Sequence, residues 1–156
     1  MKRDFVWHAF DRIGLIDPER DASGAIREFL PQSRYRNARH LPLNGHGAVL
    51  FCRFSIARGL NIPGVYVLTA AGQPVYVGKC TNLAQRFGPQ GYGAIQPKNC
   101  FVGGQSTNCK INNLVLQHVK AGEALELWFH ETGETGPVER DLIVKIRPAW
   151  NAQVPW

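Results

Sequence analysis

Two short runs of β-branched and aromatic residues, joined by a turn, constrain the fold of this 156-residue chain more than any other feature. The first run is Gly64–Thr69 and the second is Val75–Gly78. The residues between them include Gly72 and Pro74, two residue types that favour turns. Runs of this kind, separated by a few turn residues, predict a β-hairpin.

Four other segments carry helix signals: an N-cap residue, apolar residues three and four apart, or a glycine or proline at the end. They are residues 23–30, 81–87, 111–122 and 137–147. Leu125–His130 alternates and predicts a third strand, whereas residues 48–58 fit a strand or a helix. Residues 88–108 contain five glycines and two prolines, which predicts a long mobile loop.

Together these elements predict an α/β fold, with a small three-stranded, mostly antiparallel sheet flanked by helices. The sheet is expected within residues 62–156. Residues 1–61 are expected to be a basic N-terminal extension, helical in part, that serves substrate binding or packing.

The positive charge of the chain is concentrated in its middle. The formal net charge is +6, yet no Asp or Glu occurs from Phe29 through Gly122, a stretch with ten Lys and Arg residues. Such a stretch favours a polyanionic partner, although a solvated basic face is the simpler alternative. The candidate nucleic-acid contacts are Arg34, Arg36, Arg39, Arg53 and Lys110.

Composition argues against a membrane or secreted protein. The longest apolar runs, such as Ala48–Cys52, are far shorter than the ~20 residues of a spanning helix. Asp4 and His8 interrupt the N-terminus, so no secretory leader is expected. Four cysteines without paired spacing suit reduced thiols, and hence a cytoplasmic location.

Six residues from position 66 onward carry functional groups that a stable fold would not demand. They are Tyr66, Tyr76, Lys79, Arg86, Glu139 and Asn151. The two tyrosines lie on the two strands of the predicted hairpin, and Arg86 lies on the helix predicted to follow it.

The order and spacing of these residues resemble the GIY-YIG endonuclease superfamily. Gly64-Val65-Tyr66 and Tyr76-Val77-Gly78 are similar to its paired motifs, with ten residues from tyrosine to tyrosine. Glu139-Arg140-Asp141-Leu142-Ile143 and Pro148-Ala149-Trp150-Asn151 resemble its later metal-binding and asparagine motifs.

This resemblance covers residues 62–152 and implies a metal-dependent nuclease domain. Many members of the superfamily carry a histidine four residues after the arginine, and this chain has Gln90 there. The glycine-rich segment 88–108 also has no counterpart that we can match.

The residues themselves favour a mechanism with one metal ion. Two-metal nucleases need several bridging carboxylates. The basic stretch contains none, and Glu139 is the strongest candidate outside it. A hard cation such as Mg²⁺ (or Mn²⁺) can take one protein carboxylate, keep several waters and bind the scissile phosphate.

The general base must then be another type of residue. An ordinary tyrosine has a pKa of about 10, too high for a base at neutral pH, but nearby cations favour the phenolate. Lys79, Arg86 and the metal would supply that positive field, so Tyr66 is the candidate base, as the resemblance also implies. Arg86 would hold phosphate oxygens in the transition state. Tyr76 would position water or phosphate, and Asn151 would fix the backbone of the site.

Each of these residues also has a purely structural explanation. The tyrosines could be hairpin aromatics. Glu139 could be an acid in the first turn of a helix, where it would interact favourably with the positive end of the helix dipole. Lys79 and Arg86 could be solvated charges, and Asn151 could belong to a turn. None of these explanations predicts the joint order of the six residues.

Other candidate sites are weaker. Cys100, Cys109 and His118 lack the Cys-x-x-Cys pair typical of zinc sites, and His118 falls on an apolar helical face. Cys80 beside Lys79 has no obvious histidine partner that would make it a nucleophile. Asn44-Gly45-His46 is predicted to be a turn.

The leading interpretation is a metal-dependent endonuclease that acts on double-stranded DNA, with restriction slightly favoured over repair or mobile-element roles. The alternative is a non-catalytic nucleic-acid-binding module on the same fold. With one site per chain, cleavage of both strands would require a homodimer or sequential nicks.

Overall fold

The computed structural model describes residues 1–34 and 41–151. Within these ranges the chain has five strands, three helices and two short 3₁₀ turns. They are β1 (Lys2–Phe5), β2 (His8–Leu15), β3 (Gly64–Ala70), β4 (Gln73–Cys80), β5 (Leu125–Glu131), α1 (Leu83–Arg86), α2 (Ser106–Lys120), α3 (Thr135–Ile146) and the turns Pro31–Arg34 and Pro97–Cys100. None of the helices in the described part is long and apolar enough to cross a bilayer.

The chain divides into two compact units, each assembled from separated segments. We name Met1–Ile16, Ile56–Gln85 and Glu123–Trp156 the sheet unit, and Asp17–Ser55 with Arg86–Gly122 the basic unit. This division differs from the boundary expected between residues 61 and 62, since the first sixteen residues belong to the sheet unit.

The sheet unit contains an antiparallel sheet in the order β1-β2-β5-β3-β4. The predicted hairpin is confirmed as β3 and β4, and the predicted third strand as β5. The predicted total of three strands is wrong, because β1 and β2 extend the sheet on the far side of β5. Their period-of-two pattern is hard to recognise in the sequence, since β1 has four residues and β2 is irregular between Arg12 and Gly14.

One face of the sheet packs against α3. A single buried cluster contains valines of β3 and β4, aromatic residues of the other strands and the apolar stripe of α3. Its members are Phe5, Phe10, Val65, Val67, Val77, Trp128, Val138, Leu142 and Ile143. Burial of each such side chain stabilises the fold by roughly 1.5–3 kcal/mol, so this cluster fixes α3 against the hairpin.

The basic unit has a core of its own. Its buried cluster joins the two segments of the unit and consists of Phe51, Ile95, Cys100, Phe101 and Cys109. Asn112 on α2 is fully buried; its Oδ1 accepts from the Cys52 N at 2.9 Å. Its Nδ2 donates to the carbonyl oxygens of Cys52 at 2.9 Å and Tyr92 at 2.7 Å. This satisfied amide attaches both backbone segments to α2.

Residues 88–105 form a loop, as predicted, but the loop is packed rather than open, and α2 already begins at Ser106. Tyr92 and Ile95 are buried there, and Pro97–Cys100 forms a 3₁₀ turn. Some of the glycines serve close packing: a Cβ at Gly93 would lie 2.5 Å from the Phe87 carbonyl oxygen. Glycine content alone does not distinguish this use from flexibility.

The predicted helix at residues 23–30 is also wrong. The Asp21 carboxylate accepts from the backbone N of Ser23 at 2.8 Å and of Ala25 at 3.2 Å, which forms a turn instead. Arg20 then pairs with Ile26 in an isolated β-bridge. Residues 48–58 form neither a helix nor a regular strand, apart from the bridge of Phe51 to Phe29.

The other helices are confirmed with different bounds. The helix predicted at 81–87 is the single turn α1. Both α2 and α3 begin earlier than predicted, at Ser106 and Thr135. Pro137 is therefore the third residue of α3 rather than its first, a position that still tolerates the missing N–H.

Candidate active site

The β3–β4 hairpin places both tyrosines on one face of the sheet. Its two turn residues, Ala71 and Gly72, have φ of 49° and 81°, as in the tight turns that match strand twist. The resulting register sets Tyr66 opposite Gly78, two residues beyond Tyr76. Because alternate residues of a strand share a face, the tyrosine rings are neighbours, with centroids 6.1 Å apart.

The ring of Tyr66 lies across Gly78. A Cβ at position 78 would be 2.3 Å from the tyrosine hydroxyl oxygen and 2.4 Å from Cζ, so no larger residue fits there. Tyr66 is only 1% exposed, whereas Tyr76 is half-buried. The glycine of the second motif is thus explained by packing, which the sequence alone did not indicate.

Asn151 binds the outer edge of β4, the edge strand of the sheet. Its Oδ1 accepts from the Val77 N at 3.0 Å and its Nδ2 donates to the Val77 O at 2.9 Å. The preceding Trp150 donates its backbone N–H to the Val75 O at 2.9 Å. These bonds satisfy an otherwise open strand edge and fix the backbone between Tyr76 and Gly78.

Lys79 lies on the opposite face of β4 from the tyrosines. It is two residues beyond Val77, which packs in the α3 cluster, so both side chains share that face. Its Nζ is 4.0 Å from the position that a Cβ on Gly136 would occupy, in the first turn of α3. The exposed Lys79 therefore brings positive charge to the start of the helix that carries Glu139.

Glu139 is the fifth residue of α3 and is half-buried. The first turn of this helix contains no acidic residue. Since dipole effects fall off within the first turn, a favourable interaction with the helix dipole does not explain why position 139 is a glutamate. Its carboxylate could supply one oxygen ligand to a hard cation.

Arg86 is the last residue of α1 and belongs to the basic unit. The start of α1 is held in the sheet unit, where the backbone N of Ala84 donates to the Leu60 O at 2.9 Å. The Arg86 guanidinium carbon lies 5.9 Å from the ring centroid of Tyr92. Tyr92 in turn packs edge-on against Phe87, with centroids 5.1 Å apart.

Asp141, a second acid on α3, is part of an ion-pair network that the sequence analysis missed. The Lys145 Nζ is 2.6 Å from its Oδ1, and the His8 Nε2 is 3.1 Å from its Oδ2. These two partners, Lys145 first, hold the pKa of Asp141 below its ordinary value. Lys145 also lies over the ring of Trp7, 3.4 Å from its centroid.

The predicted DNA contacts fall in the basic unit. Arg34 and Arg53 are exposed, and Lys110 is half-buried on α2. Arg36 and Arg39 lie outside the described residues.

Cys100 and Cys109, two residues of the zinc alternative, lie in the buried cluster of the basic unit. Within residues 1–34 and 41–151, no three or more His, Cys, Asp or Glu side chains are arranged to hold a metal ion. Cys100 and Cys109 are buried, and the Cys109 Sγ donates to the Asn99 O at 3.2 Å. The neighbouring Cys100 thiol, and then burial, raise the pKa of Cys109. The predicted turn at residues 44–46 is confirmed by the bond from the His46 N to the Asn44 Oδ1, at 2.9 Å.

Comparison with known proteins gives structural matches only. No protein-family model and no curated protein match the sequence. The solved structures that match include two of the GIY-YIG N-terminal endonuclease domain of UvrC from Thermotoga maritima. This chain is similar to those domains.

The first of these structures is a point mutant bound to the catalytic divalent cation. It has a TM-score of 0.42 and 24% identity over 61% of this chain and 88% of that one. The second is bound to magnesium, with a TM-score of 0.41 and 25% identity over 60% and 88%. A likeness of this extent does not establish an activity, so the function must follow from this chain's own residues.

Proposed function

We propose that the chain is a metal-dependent DNA endonuclease that hydrolyses phosphodiester bonds. The proposal rests on how the side chains of Tyr66, Tyr76 and Asn151 are arranged around β4. Tyr66 and Tyr76 are neighbours on one face, and Asn151 holds the backbone between Tyr76 and Gly78. Two adjacent phenols, on a strand whose backbone is held in place from its edge, suit a site that positions water and phosphate.

Glu139 is the residue that would hold the cation, Mg²⁺ (or Mn²⁺). Its half-buried carboxylate suits a hard ion that keeps most of its waters. When bound, the cation would supply positive charge to the scissile phosphate and to the leaving oxygen. A single protein carboxylate fits a one-metal mechanism.

Tyr66 would be the general base, accepting a proton from the attacking water at its phenolate oxygen. Positive charge from the bound cation would favour the phenolate form, whereas Lys79 lies on the opposite face of β4 and would not act on Tyr66 directly. Tyr76, the more accessible phenol, would orient the water or a phosphate oxygen by a hydrogen bond.

Arg86 would stabilise the charge that develops on the phosphate. Its guanidinium can donate two parallel hydrogen bonds to two phosphate oxygens, which a lysine cannot do. Lys79 would add a point charge near the start of α3. Asn151 would act through Val77, as a positioning residue rather than a catalytic one.

Double-stranded DNA is the proposed substrate. The basic residues Arg34, Arg36, Arg39, Arg53 and Lys110 would neutralise phosphates along the backbone. A restriction enzyme is the role we favour among nucleases, ahead of repair or mobile-element functions. Cleavage of both strands would then use a homodimer or two successive nicks.

One observation favours a second candidate, a nucleic-acid-binding module without catalysis. Tyr66 is only 1% exposed, as expected of an aromatic residue that only packs the hairpin. In that case the tyrosine hydroxyls and Glu139 would contribute to packing and stability alone.

Digestion of supercoiled plasmid distinguishes the two candidates. A nuclease converts it to nicked or linear DNA with Mg²⁺ or Mn²⁺, and the activity disappears with EDTA. Sequencing of the ends then separates a restriction enzyme, with one recurring sequence, from an enzyme without sequence preference. A protein that shifts the plasmid on a gel but leaves it uncut in both metals is a binding module.

A further inference from the structure

The basic unit contains a groove that the proposed active site does not use. The groove has a volume of about 690 Å³, within the usual range for ligand pockets. Its walls combine apolar side chains with two arginines. The lining residues on which the inference depends are Phe29, Leu30, Arg34, Arg53, Ile95 and Pro97.

The net charge of the whole chain resides in the unit that holds this groove. The basic unit contains ten Lys and Arg against four Asp and Glu. The sheet unit contains eight of each, and is therefore neutral. The four acids of the basic unit all precede Phe29 in the sequence. A polyanion would thus be attracted to the basic unit rather than to the unit with the tyrosines and Glu139.

Arg53 is held in a position that suits stacking. Its guanidinium carbon lies 4.2 Å from the ring centroid of Phe29, and the residue is exposed. A guanidinium that rests on an aromatic ring has a second planar face, and nucleobases stack on such planes. The ring restricts the arginine before any ligand arrives, which lowers the entropic cost of binding.

Glu28 is an acidic residue of the groove, but its repulsion of a bound anion is reduced by an ion pair. Glu28 lines the groove, and its Oε1 is 2.5 Å from the Nζ of Lys120. The pair is neutral overall, so Arg34 and Arg53 determine the charge of the groove walls.

The apolar walls of the groove suit an unpaired nucleotide better than a duplex. The outer surface of double-stranded DNA offers mainly phosphates and sugars, which need cations but no apolar groove. An unpaired nucleotide offers a base face to Leu30, Ile95, Pro97 and the stacked arginine, together with a phosphate for Arg34. We propose that this groove binds unpaired DNA nucleotides, with one base stacked on Arg53, so that Arg34 and Arg53 contact an unpaired stretch of the DNA substrate rather than its duplex part. The inference rests on the proposed function for the choice of DNA as the polyanion.

The test compares two single strands that differ only in their bases. The probes are a fluorescein-labelled thymidine oligonucleotide of about eight residues and an abasic oligonucleotide of the same length. Binding is measured by fluorescence anisotropy in EDTA, so that no cleavage occurs. The wild-type protein should bind the thymidine probe about tenfold or more tightly than the abasic probe.

Two variants show whether Arg53 accounts for that preference. Arg53→Lys keeps the positive charge and the fold but removes the planar guanidinium, so the preference for bases should fall to about twofold or less. Arg27→Ala is the matched control, because Arg27 is an exposed arginine of the same unit that does not line the groove. It should weaken both probes equally.

Two results would overturn the inference: equal wild-type affinity for the two probes, or a preference for bases that Arg53→Lys leaves intact. Either would mean that the groove contributes charge alone. Failure of the proposed function looks different. A protein that never cuts plasmid but prefers bases through Arg53 would lack the nuclease activity and retain the nucleotide groove.

Discussion

Asn151 hydrogen-bonds both backbone groups of Val77, so one side chain closes the outer edge of β4. The Oδ1 accepts at 3.0 Å and the Nδ2 donates at 2.9 Å. An amide side chain offers a donor and an acceptor side by side, which an ionised carboxylate does not. The strand that carries Tyr76 and Gly78 is thereby fixed from the side opposite β3.

Asn151→Asp should therefore destabilise the protein. The substitution removes the donor and sets a carboxylate against the Val77 carbonyl, so the free energy of unfolding should fall by about 1–3 kcal/mol in urea titrations. Asn82→Asp is the control: it keeps the cap on the Gln85 N at 3.0 Å and loses only the exposed bond from its Nδ2 to the Asn61 Oδ1 at 3.2 Å, so its loss of stability should be smaller. Equal losses in both variants would contradict the role of Asn151.

Gly78→Ala should be far more damaging than a typical glycine substitution. The new Cβ would lie 2.3 Å from the Tyr66 hydroxyl oxygen, so the ring must move. A cost of about 1–3 kcal/mol is expected from overpacking, measured by urea unfolding. Gly133→Ala, where nothing lies within 4 Å, should change stability little. If Gly78→Ala unfolds at the same urea concentration as the wild type, the packing of the Tyr66 ring across Gly78 does not contribute to stability.

The two tyrosines should differ in their effect on turnover. Tyr66→Phe keeps the ring that packs across Gly78, so the fold should survive. Loss of a general base should slow plasmid cleavage by about 10²–10⁴-fold, and Tyr76→Phe should cost less if it only orients groups. Single-turnover rates measure both. Losses that are equal or reversed would mean that the two roles are assigned wrongly.

Asp141 should make stability depend on acid pH. Its pKa is lowered in the folded state, chiefly by Lys145 and then by His8, while the unfolded chain has the ordinary value. The stabilisation is therefore complete above that ordinary value and is lost as pH falls through the lowered one. Melting temperatures between about pH 5 and pH 2 should drop less steeply in Asp141→Asn than in the wild type. Parallel curves would mean that the network has no influence on folding.

Local signals were sufficient to predict part of the fold. Gly72 between two β-rich runs predicted the hairpin, because this turn chemistry is local. The loose alternation of Leu125–His130 also predicts a strand, which is β5. By contrast, β1 and β2 are joined through Val6, with φ of 60°, a residue type that gives no turn signal. The sequence therefore does not predict these two strands.

Other features depend on packing between distant positions. In the basic unit, the buried side-chain amide of Asn112 hydrogen-bonds to the backbone of Cys52, sixty residues away. The hydrophobic periodicity of the sequence does not predict this contact. The His8–Asp141 pair spans 133 residues. Order and spacing alone predict the six candidate site residues, whereas the need for Gly78 in the second motif follows from the ring of Tyr66 that lies across it. Their catalytic roles stay predictions.

The most direct test of the account is one substitution, Glu139→Gln, assayed on supercoiled plasmid with Mg²⁺. If Glu139 is the protein ligand of the cation, cleavage should be abolished. DNA affinity in EDTA should hold steady or rise, because a negative charge is removed. Glu131→Gln, an exposed acid at the end of β5, is the matched control and should cut normally. A folded Glu139→Gln protein that cuts at the wild-type rate would contradict the proposed mechanism.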